Sequence, residues 1–418
     1  MAAARQARGG VLVLGGGFAG AYVARELARR GATIVSNENF MLYTPLLPEA
    51  AAGTLEPRHC VVPLRVMCPH AEMLLGRATG IDLEAQTAAV ETDEGVQTVA
   101  WRELVLALGA VPRSLPIPGL AAHGRPFKSL ADAIELRNHV LHQLEAADAA
   151  LEETERARRL TFVFVGAGYA GVEALAELSD LAEDALRYYP RLRSTPRRWV
   201  LVDAAPRILP EIPPPLGDYA AAELRRRDVE IHVDTTLESV SAGEAVLGNG
   251  TRIPTNSLVW TAGVAPNPVL REWSLPLDEK GRVEADEFLH VRGHDHVWTL
   301  GDCAHVPNAR SDTPDPPTCQ HALRQARRLA RNLSGTPRPY GYRMLGQVAT
   351  LGRHKGIADV LGIRLRGFVG WWVTRTYHLY QLPLAQRKLR VVVDWTVALF
   401  FPRDIAELGR LGHPEKLS

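Results

Sequence analysis

Val11-Leu-Val-Leu-Gly15-Gly-Gly17-Phe-Ala-Gly20 and Thr161-Phe-Val-Phe-Val-Gly166-Ala-Gly168-Tyr-Ala-Gly171-Val-Glu173 are two copies of one pattern. Each is a short apolar run that breaks into G-x-G-x-x-G and continues into an alanine-rich helical stretch. The first glycine makes the tight turn off the strand, the second lets the backbone approach a pyrophosphate, and the third lets the helix pack closely on the strand. The free N–H groups and positive dipole end of the helix then hold the phosphates. One copy alone is weak evidence. Two copies, each in strand–turn–helix context, point to two dinucleotides bound face to face and to electron transfer between them.

The surrounding sequence alternates strands and helices. Residues 11–36 read as strand, helix, strand, ending in Gly31-Ala-Thr-Ile-Val35. The stretch 41–65 is loop-like, with prolines at 45, 48, 57 and 63. Leu104-Val-Leu-Ala-Leu-Gly109 is a buried strand ending in glycine, and the proline-rich segment 111–119 crosses between domains. Residues 132–160 form a long charged helical region. The second nucleotide unit spans 161–253, with Trp199-Val-Leu-Val-Asp203 as its second strand. Ser257-Leu-Val-Trp-Thr-Ala-Gly263 and Val297-Trp-Thr-Leu-Gly301-Asp302 are further strands, and a basic helix covers 320–333. This alternation predicts an α/β fold: two Rossmann-like dinucleotide-binding domains, the second inserted in the first, followed by an amphipathic tail. The expected boundaries are 1–115 with 255–335, 116–254, and 336–418.

Composition narrows the class. The 418 residues are enough for two or three full-sized cores. A net charge of +1 gives no field favouring nucleic acid. No apolar run reaches the roughly 18 residues of a membrane span, and the start of the chain reads as no signal peptide. Cys60, Cys68, Cys303 and Cys319 form no C-x-x-C or metal-binding spacing, which fits a reduced, cytoplasmic setting and no metal. From Gly362 onward, Phe368, Trp371, Trp372, Tyr377, Tyr380, Trp395, Phe400 and Phe401 mix with Arg364, Arg366, Arg375, Arg387, Lys388, Arg390 and Arg403. Aromatics and cations in short apolar segments suit helices lying in a membrane interface, or a packing or dimer surface.

With these motifs in place, the chain resembles the two-dinucleotide flavoproteins and, among them, the type II NADH dehydrogenases (NADH:quinone oxidoreductases). The likeness rests on both glycine units, on Leu106-Ala107-Leu108-Gly109, on Trp260-Thr-Ala262-Gly263, on Gly301-Asp302, on the aromatic tail, and on Thr44-Pro45-Leu46-Leu47, similar to the family's loop against the flavin. It implies FAD at the first unit (Gly15, Gly17, Phe18, Ala19, Gly20) and NAD(H) at the second (Gly166, Gly168, Tyr169, Ala170, Gly171). It also implies that Asp302 binds the FAD ribityl–pyrophosphate region and that Glu173 lies on the helix facing nicotinamide and flavin. Asp302 also stands at a strand's C-terminal end, where ligands bind in open α/β sheets.

Asp203 closes the second strand of the second unit, where a carboxylate hydrogen-bonds a ribose 2′-hydroxyl and repels a 2′-phosphate. That favours NADH, although Arg207 nearby leaves NADPH open. The first unit departs from the family: Ser36-Asn37 follow its second strand and Glu38 comes slightly later, so any of the three is a candidate for the FAD ribose. The acceptor segment departs too. Type II enzymes carry two glutamines one turn apart, whereas Cys319-Gln320-His321-Ala322-Leu323-Arg324-Gln325 keeps the first, places Arg324 at the second, and displaces Gln325 by about 100° around the helix. Gln320 and His321 are candidates for orienting the acceptor, and His321 for supplying a proton.

The resemblance implies an FAD enzyme that takes a hydride from NADH and delivers electrons to a membrane quinone, menaquinone-like, without pumping protons. It would sit peripherally on the cytoplasmic face of the cell membrane, held by the tail, with a homodimer open and no nucleic-acid partner. A soluble reductase of a ferredoxin-like, rubredoxin-like or small-molecule acceptor, and an NADH-sensing flavoprotein scaffold, are the competing readings. No redox cysteine pair follows the first glycine unit, which argues against a disulfide reductase.

Overall fold

The apolar runs that begin the two glycine patterns are each the centre of a parallel sheet. The structure, a computed structural model, describes residues 4–311 and 313–408. The chain divides into two units, one of residues 1–43, 61–111 and 264–344, the other of 44–60, 112–263 and 345–418.

In the first unit a six-stranded sheet runs in the order His290–Val291, His294–Thr299, Glu103–Leu106, Val11–Leu14, Thr33–Ser36, Glu72–Leu75. Every neighbour pair is parallel except the His290–Val291 edge. Val11–Leu14 and Thr33–Ser36 are buried along their whole length, as continuous apolar runs are when both faces of a parallel sheet are covered. From Val11–Leu14 the chain moves to one side, to Thr33–Ser36, while Glu103–Leu106 lies on the other, so the strand order reverses beside Gly15. Such a reversal opens a crevice at the strands' C-terminal ends.

The second unit repeats the plan. Its parallel sheet runs Gly124–Pro126, Ser257–Trp260, Thr161–Val165, Arg198–Val202, Val229–His232, reversing beside Gly166. An antiparallel sheet of Gly346–Thr350, Gly356–Val360 and Ile363–Arg366 follows, then helices Gly367–Gln381 and Ala385–Phe400.

Several elements differ from the sequence reading. The proline-rich 41–65 is not all loop: Leu47–Ala51 is helical with Pro48 in its first turn, where proline's missing N–H costs nothing. The charged region splits into Leu130–Ala149 and Glu153–Arg159. A four-stranded sheet of Arg5–Gln6, Gly95–Ala100, Thr87–Thr92 and Arg77–Asp82 had no counterpart in the sequence reading. The unit boundaries differ as well: residues 44–60 and the described part of the tail from 345 group with the second unit. Hydrogen bonds and ion pairs tie the tail to that unit. Thr350 N–H donates to Glu173 at 2.8 Å, and Arg403 pairs with Glu177 at 2.9 Å. Residues 336–344, expected with the tail, group with the first unit, where Tyr340 O–H donates to Asp315 at 2.7 Å. The end of the expected tail, 409–418, lies outside the described residues.

Both tail helices carry an exposed apolar side formed by Phe368, Trp372, Tyr380, Leu389, Val393 and Phe400. Their other side is anchored. Arg375 stacks on Trp371 and Trp395, 4.3 and 4.7 Å from the ring centres, and pairs with buried Glu49 at 3.2 Å. Trp395 Nε1 donates to the same carboxylate, and Asp394 pairs with His59 at 2.5 Å.

Candidate functional site

Gly15 stands at the first sheet reversal with φ of +117°, and a Cβ there would run into the Ala107 carbonyl. A Cβ on Gly20 would overlap the Gly15 carbonyl oxygen, so this residue sets how closely the helix Phe18–Glu26 approaches the strand. Gly17 is the opposite case: a Cβ there meets no atom within 4 Å, and as N-cap it leaves the helix's first N–H groups without a side-chain partner. An uncapped helix start beside open backbone suits a pyrophosphate.

Other expected residues of the first unit converge on this turn. A Cβ on Gly301 would stand 3.0 Å from Ala19 Cβ and 3.8 Å from Ala322 Cβ, so the Gly301-Asp302 turn lies between the fingerprint helix and the helix Cys319–Ser334. A Cβ on Gly109 would meet no atom, which leaves the backbone after Leu108 approachable. Ser36 is buried under Gly16, and its Oγ accepts from Glu38 N–H at 3.3 Å, while Asn37 and Glu38 are exposed. Phe18 packs on Tyr43 with ring centres 5.4 Å apart.

On Cys319–Ser334 the structure separates the residues that the sequence places together. Gln325 turns inward: its Oε1 accepts from Gly301 N–H at 2.8 Å and its Nε2 donates to buried Asp315 at 2.9 Å. Asp315 also accepts from Asn308 Nδ2 and Tyr340 O–H, both at 2.7 Å. His321 is 4% exposed, pairs with Thr318 Oγ1 across 2.7 Å and lies 3.6 Å from Asp315. Burial lowers its pKa, and the Asp315 carboxylate opposes that shift. Burial against Thr318 and Asp315 does not fit His321 for the expected orienting of the acceptor or supply of a proton. Gln320 and Arg324 point elsewhere, toward Tyr342. The phenol O–H donates to Gln320 Oε1 at 3.4 Å, Arg324 lies 5.2 Å over the ring, and His321 meets it edge-on at 5.5 Å. Tyr342 and Asp315 escaped the sequence reading because each sits in irregular chain with no period of its own.

The second unit rebuilds the same turn. Gly166 has φ of +111°, and a Cβ would come 2.5 Å from Thr261 C and 2.6 Å from Ala262 N. On Gly171 it would overlap the Gly166 carbonyl oxygen, whereas on Gly168 it would meet only Glu211 Oε1 at 3.9 Å. Gly168 N-caps the helix Tyr169–Ala185, again without a side-chain cap, so Tyr169 and Ala170 form its open first turn. A Cβ on Gly263 meets nothing within 4 Å. Thr261 O–H bonds the carbonyls of Val165 and Gly166 at 3.0 and 2.9 Å, a role within the Trp-Thr-Ala-Gly motif that the sequence did not assign.

Asp203 accepts from Ala167 N–H and, at 2.7 Å, from Ala205 N–H. Arg207 is directed away from it, donating to the carbonyls of Ile212 and Pro210 at 2.9 and 2.5 Å. Glu173 is buried, and burial pushes its carboxyl up to about 8 despite the hydrogen bonds from Thr350. Thr44–Leu46 is a 3-10 turn leading through Leu47 into the Leu47–Ala51 helix, whose Glu49 is also buried.

Cys60, Cys68 and Cys303 are buried, with thiols pushed by burial up to about 12, 12 and 11. Buried neutral thiols are poor nucleophiles.

Both turns fit a dinucleotide by the same evidence, two forbidden Cβ positions flanking an open one. Comparison with known proteins agrees. Residues 9–326 match the pyridine nucleotide-disulphide oxidoreductase family. The chain is 30% identical over 390 residues to a probable NADH dehydrogenase of Dictyostelium discoideum, covering 90% of this chain and 85% of that one. It is 30% identical over 412 residues to the type II NADH:quinone oxidoreductase NdhA of Mycobacterium tuberculosis, covering 93% and 86%. The fold matches the structure of NDH2 from Plasmodium falciparum in complex with NADH, with a TM-score of 0.89 at 17% identity, over 97% of this chain and 100% of that one. The chain thus belongs to the pyridine nucleotide-disulphide oxidoreductases, on the branch of the type II NADH:quinone oxidoreductases.

Proposed function

We propose that this protein is an FAD-dependent NADH dehydrogenase that passes the electrons of NADH to a menaquinone-like quinone at a membrane surface, without pumping protons. The observation that carries this reading is the duplicated turn, each copy opening an uncapped helix start at a sheet reversal. In this reading both turns belong to Rossmann-type domains. FAD occupies the first, where Gly301-Asp302 and the strand end at Ala107-Leu108-Gly109 flank the same helix start. NAD(H) occupies the second, with Ala262-Gly263 beside it. Bound flavin supplies a hydride acceptor that releases electrons to quinones.

The protein's own residues bind, orient and exclude. Backbone N–H groups at Phe18–Gly20 and Tyr169–Gly171 hold the two pyrophosphates. Asp203 accepts from the NADH ribose, and one of Ser36, Asn37 or Glu38 serves the FAD ribose. Glu173 keeps a proton at neutral pH on a buried carboxyl, and Thr44–Leu47 shields the flavin. Gln320 and Arg324 orient the acceptor, and His321 holds their helix start in place. The engagement of Arg207 with two carbonyls supports NADH over NADPH, since that guanidinium is held away from a 2′-phosphate.

The exposed apolar side of the tail helices rests in the headgroup region, with its cations toward anionic lipid. In this reading the enzyme sits peripherally on the cytoplasmic face of the membrane. No helix among the described residues is long and apolar enough to cross a membrane.

The test is steady-state turnover with a short-chain menaquinone analogue. NADH should exceed NADPH in kcat/KM by at least about tenfold, and equal efficiency would remove the nucleotide assignment. The holoprotein should float with anionic vesicles, and a W372E/F400E variant should not. Flotation unchanged by that variant, with a dimer lost in sedimentation, would assign the face to a second copy instead.

A further inference from the structure

Arg324 is the one cation of its helix held against an aromatic ring and half withdrawn from water. Its neighbours are engaged otherwise: Arg327 faces Glu26 at 3.8 Å, and the nearby buried carboxylate Asp315 is bound by Asn308, Gln325 and Tyr340. Among the described residues no carboxylate pairs with Arg324, whose guanidinium lies 5.2 Å over the Tyr342 ring. The same phenol donates to Gln320 Oε1, so Tyr342 fixes both side chains that flank the acceptor end of the helix.

A guanidinium stacked on a ring is oriented by its face and offers its edge, a planar fork of N–H donors. That fork matches two adjacent oxygens of which at least one is anionic. We infer that Arg324, positioned by Tyr342, makes this enzyme select quinones that carry an ionised hydroxyl beside a ring carbonyl. The inference rests on the quinone reading above and deepens it to a substrate class. The ionised hydroxyl takes no part in the redox balance: NADH, one proton and the quinone give NAD+ and the hydroquinone. Arg324 binds the acceptor, and Tyr342 is a positioning residue that acts through it.

The probes are 2-hydroxy-1,4-naphthoquinone, anionic at neutral pH, and 2-methyl-1,4-naphthoquinone, which is neutral. Their intrinsic reactivities cancel when the ratio of their kcat/KM values is compared between proteins. The wild-type ratio should exceed that of Arg324→Gln by at least about tenfold, the discrimination of one charge-assisted fork. Tyr342→Phe, which keeps the ring, should retain the wild-type ratio, and Tyr342→Leu should fall toward that of Arg324→Gln. Binding to the oxidised holoprotein, followed by titration, should show the same tenfold preference. In wild type that affinity should decline as acid protonates the probe, a readout that needs no variant.

Equal ratios and equal binding in wild type and Arg324→Gln would overturn the inference while leaving quinone reduction intact. Selective binding without turnover of either quinone would keep the inference and reject the proposed function.

Discussion

The two glycine turns share a backbone but differ in what lies under it. In the first, position 16 is glycine, and a Cβ there would meet Ser36 Oγ at 2.5 Å and Leu64 Cδ1 at 2.8 Å. In the second, the corresponding residue is Ala167, and its N–H donates to the Asp203 carboxylate. The flanking glycines collide with the same atoms in both copies, the third always with the carbonyl oxygen of the first. Glycine spacing therefore reports the turn, which backbone collisions dictate. The residue ending the neighbouring strand differs between the copies, a small neutral hydroxyl beneath the first turn and a carboxylate beneath the second, and in the proposed assignment this difference distinguishes the two ligands.

The comparison breaks most visibly at the glycines. Gly20→Ala and Gly171→Ala should both fail to give a cooperatively folding protein, because overpacking against backbone costs about 1–3 kcal/mol or more and has no rotamer to escape into. Gly17→Ala and Gly168→Ala should fold with near wild-type thermal midpoints. The first should purify with little flavin and the second with normal flavin but a raised KM for NADH. Flavin absorbance and calorimetry distinguish these outcomes. Flavin loss from Gly168→Ala instead would exchange the two cofactor assignments.

A smaller effect sharpens the contrast between the strand ends. Asp203→Asn keeps one acceptor oxygen but removes the charge, and should raise KM for NADH about tenfold while narrowing the preference over NADPH. Ser36→Ala should change flavin affinity by less than about threefold, since that hydroxyl bonds Glu38 N–H within its own turn. Equal effects of the two substitutions would deny that the carboxylate distinguishes the second site.

A further contrast lies in the pH dependence of stability, set by the glutamate that follows the second turn. Burial pushes Glu173 from an ordinary value of 4.5 up to about 8, so between those values the folded chain holds a proton that the unfolded chain has released. Stability should decline as pH rises across that window and level off above it. Glu173→Gln binds no proton there, so its thermal midpoint should fall less between pH 5 and 8. Parallel curves for the two proteins would mean that the carboxyl ionises normally.

What the sequence carried was local. Both turns, the strands beginning at Leu104 and Ser257, the Gly301-Asp302 turn and the basic helix each hold a run whose period or glycine spacing is complete within about a dozen residues. What it did not carry was either weakly patterned or distant. The strands within 77–100 mix half-buried and exposed positions and lack a continuous apolar run. The 47–51 helix is too short to show a period, and Pro48 within it reads as loop. Thr350 reaches Glu173 across 177 residues, and no local signal joins a strand end to a helix that far away. The acceptor helix shows the limit well. Its sequence revealed that Arg324 stands at the place of the family's second glutamine with Gln325 displaced by one, but only packing reveals that Gln325 turned inward to Gly301 while Arg324 settled on Tyr342.

The central claim is that the two turns hold a flavin and a nicotinamide in working succession. Anaerobic stopped-flow absorbance of the flavin in the purified holoprotein tests it directly, mixing first with NADH and then with a soluble menaquinone analogue. Rapid bleaching with NADH and rapid recovery with the quinone are expected, both faster than steady-state turnover. Bleaching without recovery would contradict the quinone half of the claim, and no bleaching would contradict the pairing of the two turns itself.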